Sequence, residues 1–502
     1  MKLFKKRIKK EHHTSMGTNI IFNTVYNVLV LLIPLITIPY VTRTLSSSGV
    51  GSFSYASSIV GYFAAFANFG ISEYGSFILA KHRDNKEETS RVFYEIFVFR
   101  VIITAIVLGV YLSVIFFGLF KNPDFPLNDM KVYLGLTFFI VGACLEINYL
   151  YMGLENFKTI SIRSITVRFL NFLAIILFVK GPNDYLTYVL IMSGSSLAMG
   201  LSMFVFLHKY VGRPRLHKFN PFKYFLGALP FAIPYIATTF LPLITKTVLG
   251  SVLGSATVSG DYEVADKILS VVYSIVSASS AVALSRLSFL YEQKDKAEID
   301  KKVKETFQFF SIIALPCYFG LMGINKYFVP GFFGEEYRGA INLLYILGPK
   351  ILLSPLYAIL GSVYFIPSGR SWHRTIFFVI GTIVNLGLSI VFTIYLSQTG
   401  AALAAVLTEL VLVILFASFS KGKINYRGAM PTFVRALDAA LIMFVVIFGV
   451  GELLDGRLNN LKMFILLTAL GGVTYAVLMI LFKEPVISKM FNNFKNKLFP
   501  KK

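Results

Sequence analysis

Pro39-Tyr40-Val41-Thr42-Arg43-Thr44 and Pro242-Leu243-Ile244-Thr245-Lys246-Thr247 are two versions of one motif, and each falls at the end of a long apolar run. A second match follows each copy: Gly51-x-Phe53-x-x-Ala56-x-x-Ile59 in the first, Gly260-x-Tyr262-x-x-Ala265-x-x-Ile268 in the second. The chain therefore reads as two related halves, each setting a proline and then a cation at the same point of its first helix. Between two such halves of a membrane protein a substrate cleft is expected.

Working outward, 56% of the 502 residues are hydrophobic and 15% charged, with a mean hydropathy of +0.69, far from a soluble domain. Apolar runs near the ~20 residues of a spanning helix recur throughout. They predict fourteen spans, at 17–42, 49–80, 92–120, 130–153, 158–180, 184–208, 223–252, 260–290, 304–329, 337–366, 373–396, 399–420, 431–453 and 460–482. Barrel strands would instead alternate over about ten residues. The fold class expected is an all-α polytopic membrane protein with two pseudo-symmetric six-helix lobes and a C-terminal helix pair. Its parts are a basic cytoplasmic tail (1–16), an N-lobe (17–210), a cytoplasmic linker (211–222), a C-lobe (223–420), the appended pair (421–482) and a second basic tail (483–502). Asn171 in span five and Asn385 in span eleven open similar apolar segments, again six spans apart. Both pairs run in the same direction, so the repeat is of the parallel kind.

The net charge of +22 invites a nucleic-acid reading, and its dispersal over many short loops argues against one. Of the 48 Lys and Arg, 36 lie in the tails, the even-numbered loops and the inner parts of the spans flanking them, whereas the odd-numbered loops and the outer span ends hold eight: Arg43, Lys121, Lys131, Lys180, Lys326, Arg338, Arg457 and Lys462. This is the positive-inside pattern and places both termini in the cytoplasm. The run Met1–Lys10 resembles a signal-peptide n-region, but the apolar run after it is too long and lacks a cleavage pattern, so a retained first helix is expected. Membrane lipids are expected partners of the basic tails. Cys144 and Cys317 are too far apart for a CxxC or zinc framework. The histidines lack HExxH spacing and no P-loop occurs, so no cofactor or metal is expected. Ser193-Gly194-Ser195-Ser196 reads as a close-packing surface. Every loop is short, which leaves little room for an extramembrane catalytic domain and points to a transporter rather than an enzyme.

Ionisable residues within spans are costly, roughly 2.5–3.5 kcal/mol each on insertion scales, and need a reason. Span seven carries Lys246; span eight carries Asp261, Glu263, Asp266 and Lys267. Glu263 and Lys267 are four apart, the spacing of a same-face pair. Lys246 and Arg43 admit two readings: anionic-ligand contacts, or a partner in span eight for Lys246 and outer-leaflet phosphates for Arg43. Lys350 stands alone beside Pro349, as a candidate substrate residue in a wet cavity. Arg100, after Glu95, is expected to snorkel inward. Glu73, Glu146, Asp261 and Glu409 are coupling-ion candidates. Prolines 34, 39, 230, 234 and 242 are expected to bend spans one and seven, and spans one, two, seven and eight to line the cleft.

Ile38–Leu45 with Gly49–Tyr55 resembles the opening of Wzx-type polysaccharide flippases, of the multidrug/oligosaccharidyl-lipid/polysaccharide exporter superfamily. Tyr151-Met-Gly-Leu-Glu-Asn-Phe-Lys158, Gly260-Asp-Tyr-Glu-Val-Ala-Asp-Lys267 and Gly400-Ala-Ala-Leu-Ala-Ala405 with Glu409 resemble the same family, which the chain matches from about residue 17 to 420. Two positions depart from it: Thr245 and Asn68 stand where many members carry acids. The resemblance implies a flippase moving an undecaprenyl-diphosphate-linked oligosaccharide to the outer leaflet of a bacterial plasma membrane, with a polysaccharide polymerase and assembly proteins as further partners. The alternatives are a lipid II flippase or multidrug exporter of that superfamily, and a membrane polysaccharide polymerase. Twelve spans without the appended pair would favour the drug exporter; a polymerase would need a sizeable outer loop.

Overall fold

The computed structural model describes residues 16–117, 129–212 and 219–487. Most of both basic tails, Lys121, His217 and half of the 211–222 linker lie outside these residues. Among the described residues there is no strand. The helices are α1 (Met16–Asn68), α2 (Ile71–His82), α3 (Lys86–Phe117), α4 (Met130–Leu145), α5 (Asn148–Gly153), α6 (Phe157–Phe178), α7 (Tyr185–Ser202) and α8 (Phe225–Leu253). There follow α9 (Ala256–Gln293), α10 (Lys296–Phe332), α11 (Gly339–Leu347), α12 (Lys350–Leu360), α13 (Ser371–Ser420), α14 (Met430–Leu453) and α15 (Asn460–Leu481).

Eleven helical stretches among the described residues are long and apolar enough to cross a membrane. Two of them are each two spans joined end to end. α1 is interrupted at Ser46 (φ 63°, ψ 170°) and α13 at Ser397 (φ 55°, ψ −138°), both in the positive-φ region that a Cβ disfavours. Dividing α1 and α13 there, and counting α9, gives each of the fourteen spans its helix. The helices run on through Pro34, Pro39, Pro230, Pro234 and Pro242; the interruption of α1 falls seven residues after Pro39 instead.

The chain forms two compact units, Met1–Gly260 and Asp261–Lys502. In the first, α4 packs on α7 through small residues, as the Ser193–Ser196 run predicts. A Cβ on Gly142 would come within 2.6 Å of the Ser196 backbone, an approach that membrane helices use because lipid gives them no hydrophobic drive to associate. Around this contact Tyr111, Tyr133, Ile140 and Val189 form one buried cluster, and Phe93, Phe99, Tyr149 and Tyr151 form another. α8 runs along α2 and the second half of α1: Gly70 lies against the backbone of Phe231 and Ala232, and Gly227 against the Tyr74 ring.

In the second unit the C-terminal helix pair docks on α10. Gly323 lies under Ile447, and Gly331 lies against the backbone of Asn460 and Leu461. The Tyr327 hydroxyl donates to the Gly451 carbonyl at 2.8 Å, and the Tyr475 hydroxyl to that of Ile312 at 2.9 Å. Lys326 Nζ clamps the α14 end, 2.9 Å from Glu452 and 2.8 Å from Asp455. The last turn is anchored by Glu484, fully buried, which accepts from Thr432 at 2.8 Å and Arg435 at 3.1 Å. Cys144 is buried and Cys317 half-buried, both unbridged, as packing residues.

Candidate functional site

The two copies of the motif fold alike. Thr42 and Thr245 are both buried, while the next residue turns away from the core: Arg43 is exposed and Lys246 half-buried. In the first copy the threonine hydroxyls turn back onto their own helix. Thr42 donates to the Pro39 carbonyl at 3.1 Å and Thr44 to that of Tyr40 at 2.7 Å. Such back-bonding satisfies hydroxyls in an apolar medium.

Below this point the second half of α1 is laced to α8 by neutral polar contacts. Ser58 Oγ lies 2.8 Å from Thr247 Oγ1 and the Tyr55 hydroxyl 3.1 Å from Ser251 Oγ. Asn68 Nδ2 donates to the Tyr235 hydroxyl at 2.9 Å while its Oδ1 accepts from Ser72 at 3.2 Å. An ionised Asp there could only accept, so the departure at Asn68 replaces a titratable group by a two-way hydrogen-bond link.

The second unit holds a charged locus that corrects the reading of Lys350 as solitary. Its Nζ lies 3.9 Å from Asp266 Oδ1 and 4.0 Å from Glu409 Oε1, with 15–20% of each side chain exposed. Glu409 Oε2 also accepts from Ser354 at 2.7 Å, and Tyr357 is within hydrogen-bonding reach of the same carboxylate. One cation thus serves two acids from α9 and α13, an arrangement able to exchange a proton or cation without leaving a lone buried charge. Arg374 was absent from the sequence reading. It interacts with Tyr273 and Tyr357 and stacks 5.4 Å above the Phe378 ring. It lies at the inner end of predicted span 373–396, and its one signal is that it stands directly before the long apolar run of α13.

The other candidates are dispersed. Glu263 and Lys267 pair at 3.4 Å as their spacing predicts, the carboxylate buried and the ammonium half exposed. Asp261 is buried, its Oδ1 has no hydrogen-bond partner, and its Oδ2 lies where a Cβ on Gly339 would fall, 2.1 Å away. Glu73 is exposed in the first turn of α2. Glu146 stands at the interruption between α4 and α5, half-buried, its carboxylate accepting from Asn148. Among the described residues no group of three His, Cys, Asp or Glu could hold a metal ion.

Arg100 does not snorkel. It is fully buried and donates from Nη1 to the Glu146 carbonyl at 2.6 Å. Glu95 faces elsewhere, accepting from the Tyr224 hydroxyl at 2.7 Å and the Asn220 amide at 3.0 Å. Asn171 and Asn385, matched in sequence, differ in surroundings. Asn171 donates to the Met192 sulfur at 3.7 Å, whereas Asn385 Oδ1 accepts from Ser389 at 3.1 Å and Thr408 at 3.4 Å.

Eleven candidate spans among the described residues, together with the relatives that follow, define a multi-pass membrane transporter, not an enzyme. The chain belongs to the polysaccharide biosynthesis protein family, whose model matches residues 16–288. It is 21% identical over 408 residues, 81% of this chain and 96% of the relative, to a protein of Escherichia coli K12 named as an O-antigen transporter. It is 22% identical over 236 residues to a Haloferax volcanii protein named as the low-salt glycan biosynthesis flippase Agl15, covering 47% of this chain and 49% of that one. Its fold is that of the lipid II flippase MurJ in an inward closed conformation, with a TM-score of 0.68 at 15% identity, covering 93% of this chain and 99% of MurJ. An inward-facing multidrug resistance transporter aligns less closely, at a TM-score of 0.53 and 14% identity, over 84% of this chain and 98% of that one.

Proposed function

We propose that this flippase carries an undecaprenyl-diphosphate-linked oligosaccharide from the inner to the outer leaflet of a bacterial plasma membrane by alternating access. The observation that carries this reading is the repeated motif, which sets Arg43 and Lys246 at equivalent places, each directly after a buried threonine. A diphosphate is a compact anion that must be desolvated to cross, and charge-assisted hydrogen bonds to it contribute roughly 1.5–3 kcal/mol each. The names of the Escherichia coli and Haloferax relatives, both concerned with glycans, support the oligosaccharide. Both termini lie in the cytoplasm in this reading, the two six-span lobes are 17–210 and 223–420, and spans one, two, seven and eight contribute to the substrate path. Glu263, Asp266, Lys267 and Lys350 contribute further polar groups to the substrate path. Asp266 and Glu409, held by one lysine, are the preferred coupling pair, with Asp261 the next candidate.

Depleting the protein in its own cell and identifying the accumulated intermediate by mass spectrometry tests the substrate. Inner-leaflet accumulation of an undecaprenyl-diphosphate oligosaccharide is expected. Accumulated lipid II would instead assign the other lipid-linked cargo, and no lipid-linked accumulation at all would remove the reading.

A further inference from the structure

Two arginines of the first unit are buried with no carboxylate at ion-pair distance among the described residues. Arg100 of α3 is 0% exposed and Arg163 of α6 7%. They flank the interruption between α4 and α5, where Glu146 (φ −74°, ψ 92°) and Ile147 (φ −91°, ψ 33°) leave the helical region. Arg100 reaches that interruption through the Glu146 carbonyl. Arg163 lies over the Tyr151 ring at 4.9 Å and interacts at longer range with Glu146. Neither guanidinium has a carboxylate within ion-pair distance among the described residues. Arg100 Nε and Nη2 and Arg163 Nη1 and Nη2 are buried without a hydrogen-bond partner, as are Asn148 Oδ1 and the Tyr149 hydroxyl.

Six idle polar atoms around one backbone break call for an occupant, because buried polar groups in folded proteins are hydrogen-bonded. Arginine cannot escape the cost by losing its proton, and an unpaired buried charge is far more expensive than an unpaired amide. Water can satisfy the N–H groups but does not neutralise two positive charges. Glu146 offers one negative charge at most, and its carboxylate is engaged by Asn148. What matches a planar fork with free donors is a tetrahedral oxyanion.

We propose that Arg100 and Arg163 form a phosphate-binding site at the α4–α5 interruption, separate from the Arg43–Lys246 motif. The half-buried side chains of Glu146 and Asn148 form its rim, and the site is closed to solvent in this conformation. The site does not depend on the transported cargo. Its ligand is a phosphate group, carried by a membrane phospholipid, by a polyprenyl carrier or by the free anion.

The full-length protein in nanodiscs tests this, with phosphatidylglycerol, undecaprenyl phosphate and inorganic phosphate as probes and native mass spectrometry as the readout. The measurement is made both in the unaltered chain and in the Arg43→Gln/Lys246→Gln background, so that loss of the transport motif and loss of this site are told apart. At least one probe is expected to bind in both backgrounds, and about tenfold or more weaker with Arg100→Gln or Arg163→Gln. Arg100→Lys, which keeps the charge but not the fork, falls between. The probe that responds identifies the source of the phosphate. Should the Gln variants fail to fold, phenylglyoxal labelling of the unaltered chain supplies the answer: the bound probe is expected to slow modification of Arg163 and Arg100. Binding by none of the three probes, equal binding by the folded variants, or labelling unaffected by a bound probe overturns the proposal.

Discussion

Gly51 and Gly260, the matched glycines of the two repeats, meet in a single helix crossing. A Cβ on Gly51 would come within 1.8 Å of the Ala256 carbonyl oxygen and 2.5 Å of the Gly260 amide nitrogen, and one on Gly260 within 2.1 Å of the Ser47 carbonyl oxygen. Each copy of the motif therefore supplies one side of a backbone-to-backbone contact. Beneath it, the Tyr55–Ser251 and Ser58–Thr247 hydroxyl links close the same seam.

The crossing has no room for a methyl group. Gly51→Ala or Gly260→Ala is expected to destabilise the packed state by roughly 1–3 kcal/mol, the usual range for overpacking. Gly109→Ala, at a position with nothing within 4 Å, should be neutral or stabilise by up to about 1 kcal/mol through lost unfolded-state entropy. Thermal melts of the three variants in one detergent check this. Equal melting temperatures would show that the seam opens freely.

The spans and the repeat were legible because both are local: apolar runs measure the membrane, and the two motifs can be compared letter by letter. Lys350 was misread because its acids come from α9 and α13, and no spacing within its own helix could announce them. Arg100 was misread for a geometric reason. Glu95 precedes it by five residues, about 140° around an α-helix, so the two look to different neighbours. The interruptions at Ser46 and Ser397 fall in the gaps between predicted spans, 43–48 and 397–398, although no Gly or Pro stands at either position.

The Lys350 cluster is expected to behave as a coupled unit. Lys350→Met leaves Asp266 and Glu409 without their shared cation, and stability and export should both fall, by up to about 3–5 kcal/mol for the first. Adding Glu409→Gln removes one of the stranded charges. The double variant should then recover part of the stability, with a coupling energy of roughly 0.5–3 kcal/mol in the double-mutant cycle, but not export. Additive effects in thermal melts would dissolve the cluster as a unit.

The α14 end should loosen in acid. The Lys326 ammonium, hydrogen-bonded to Asp455, holds that carboxyl below the usual carboxylate range. A depressed folded-state pKa contributes stability above the unfolded value of about 3.9, and that contribution is lost as pH falls through the folded one. Hydrogen exchange of residues 450–460, corrected for its intrinsic pH dependence, should therefore stay constant from neutrality to about pH 4 and rise below it. Asp455→Asn should weaken protection already at neutral pH. A transition near neutrality would point to a different group.

Arg43 and Lys246 carry the transport reading and can be tested by charge alone. They hold equivalent places in the two repeats, so a diphosphate approached by one should be approached by the other at the same stage of the cycle. Each Gln variant is expected to lower export at least about tenfold, the loss of one charge-assisted contact of roughly 1.5–3 kcal/mol. Arg43→Lys keeps the charge and gives up the bidentate fork, so partial export should remain. If Arg43 only rests on outer-leaflet phosphates and Lys246 only neutralises acids, the double Gln variant should instead fold and export normally. Export per unit of membrane-inserted protein, measured for the single and double variants side by side, separates the two outcomes. Normal export by the double variant would remove both residues from the substrate path.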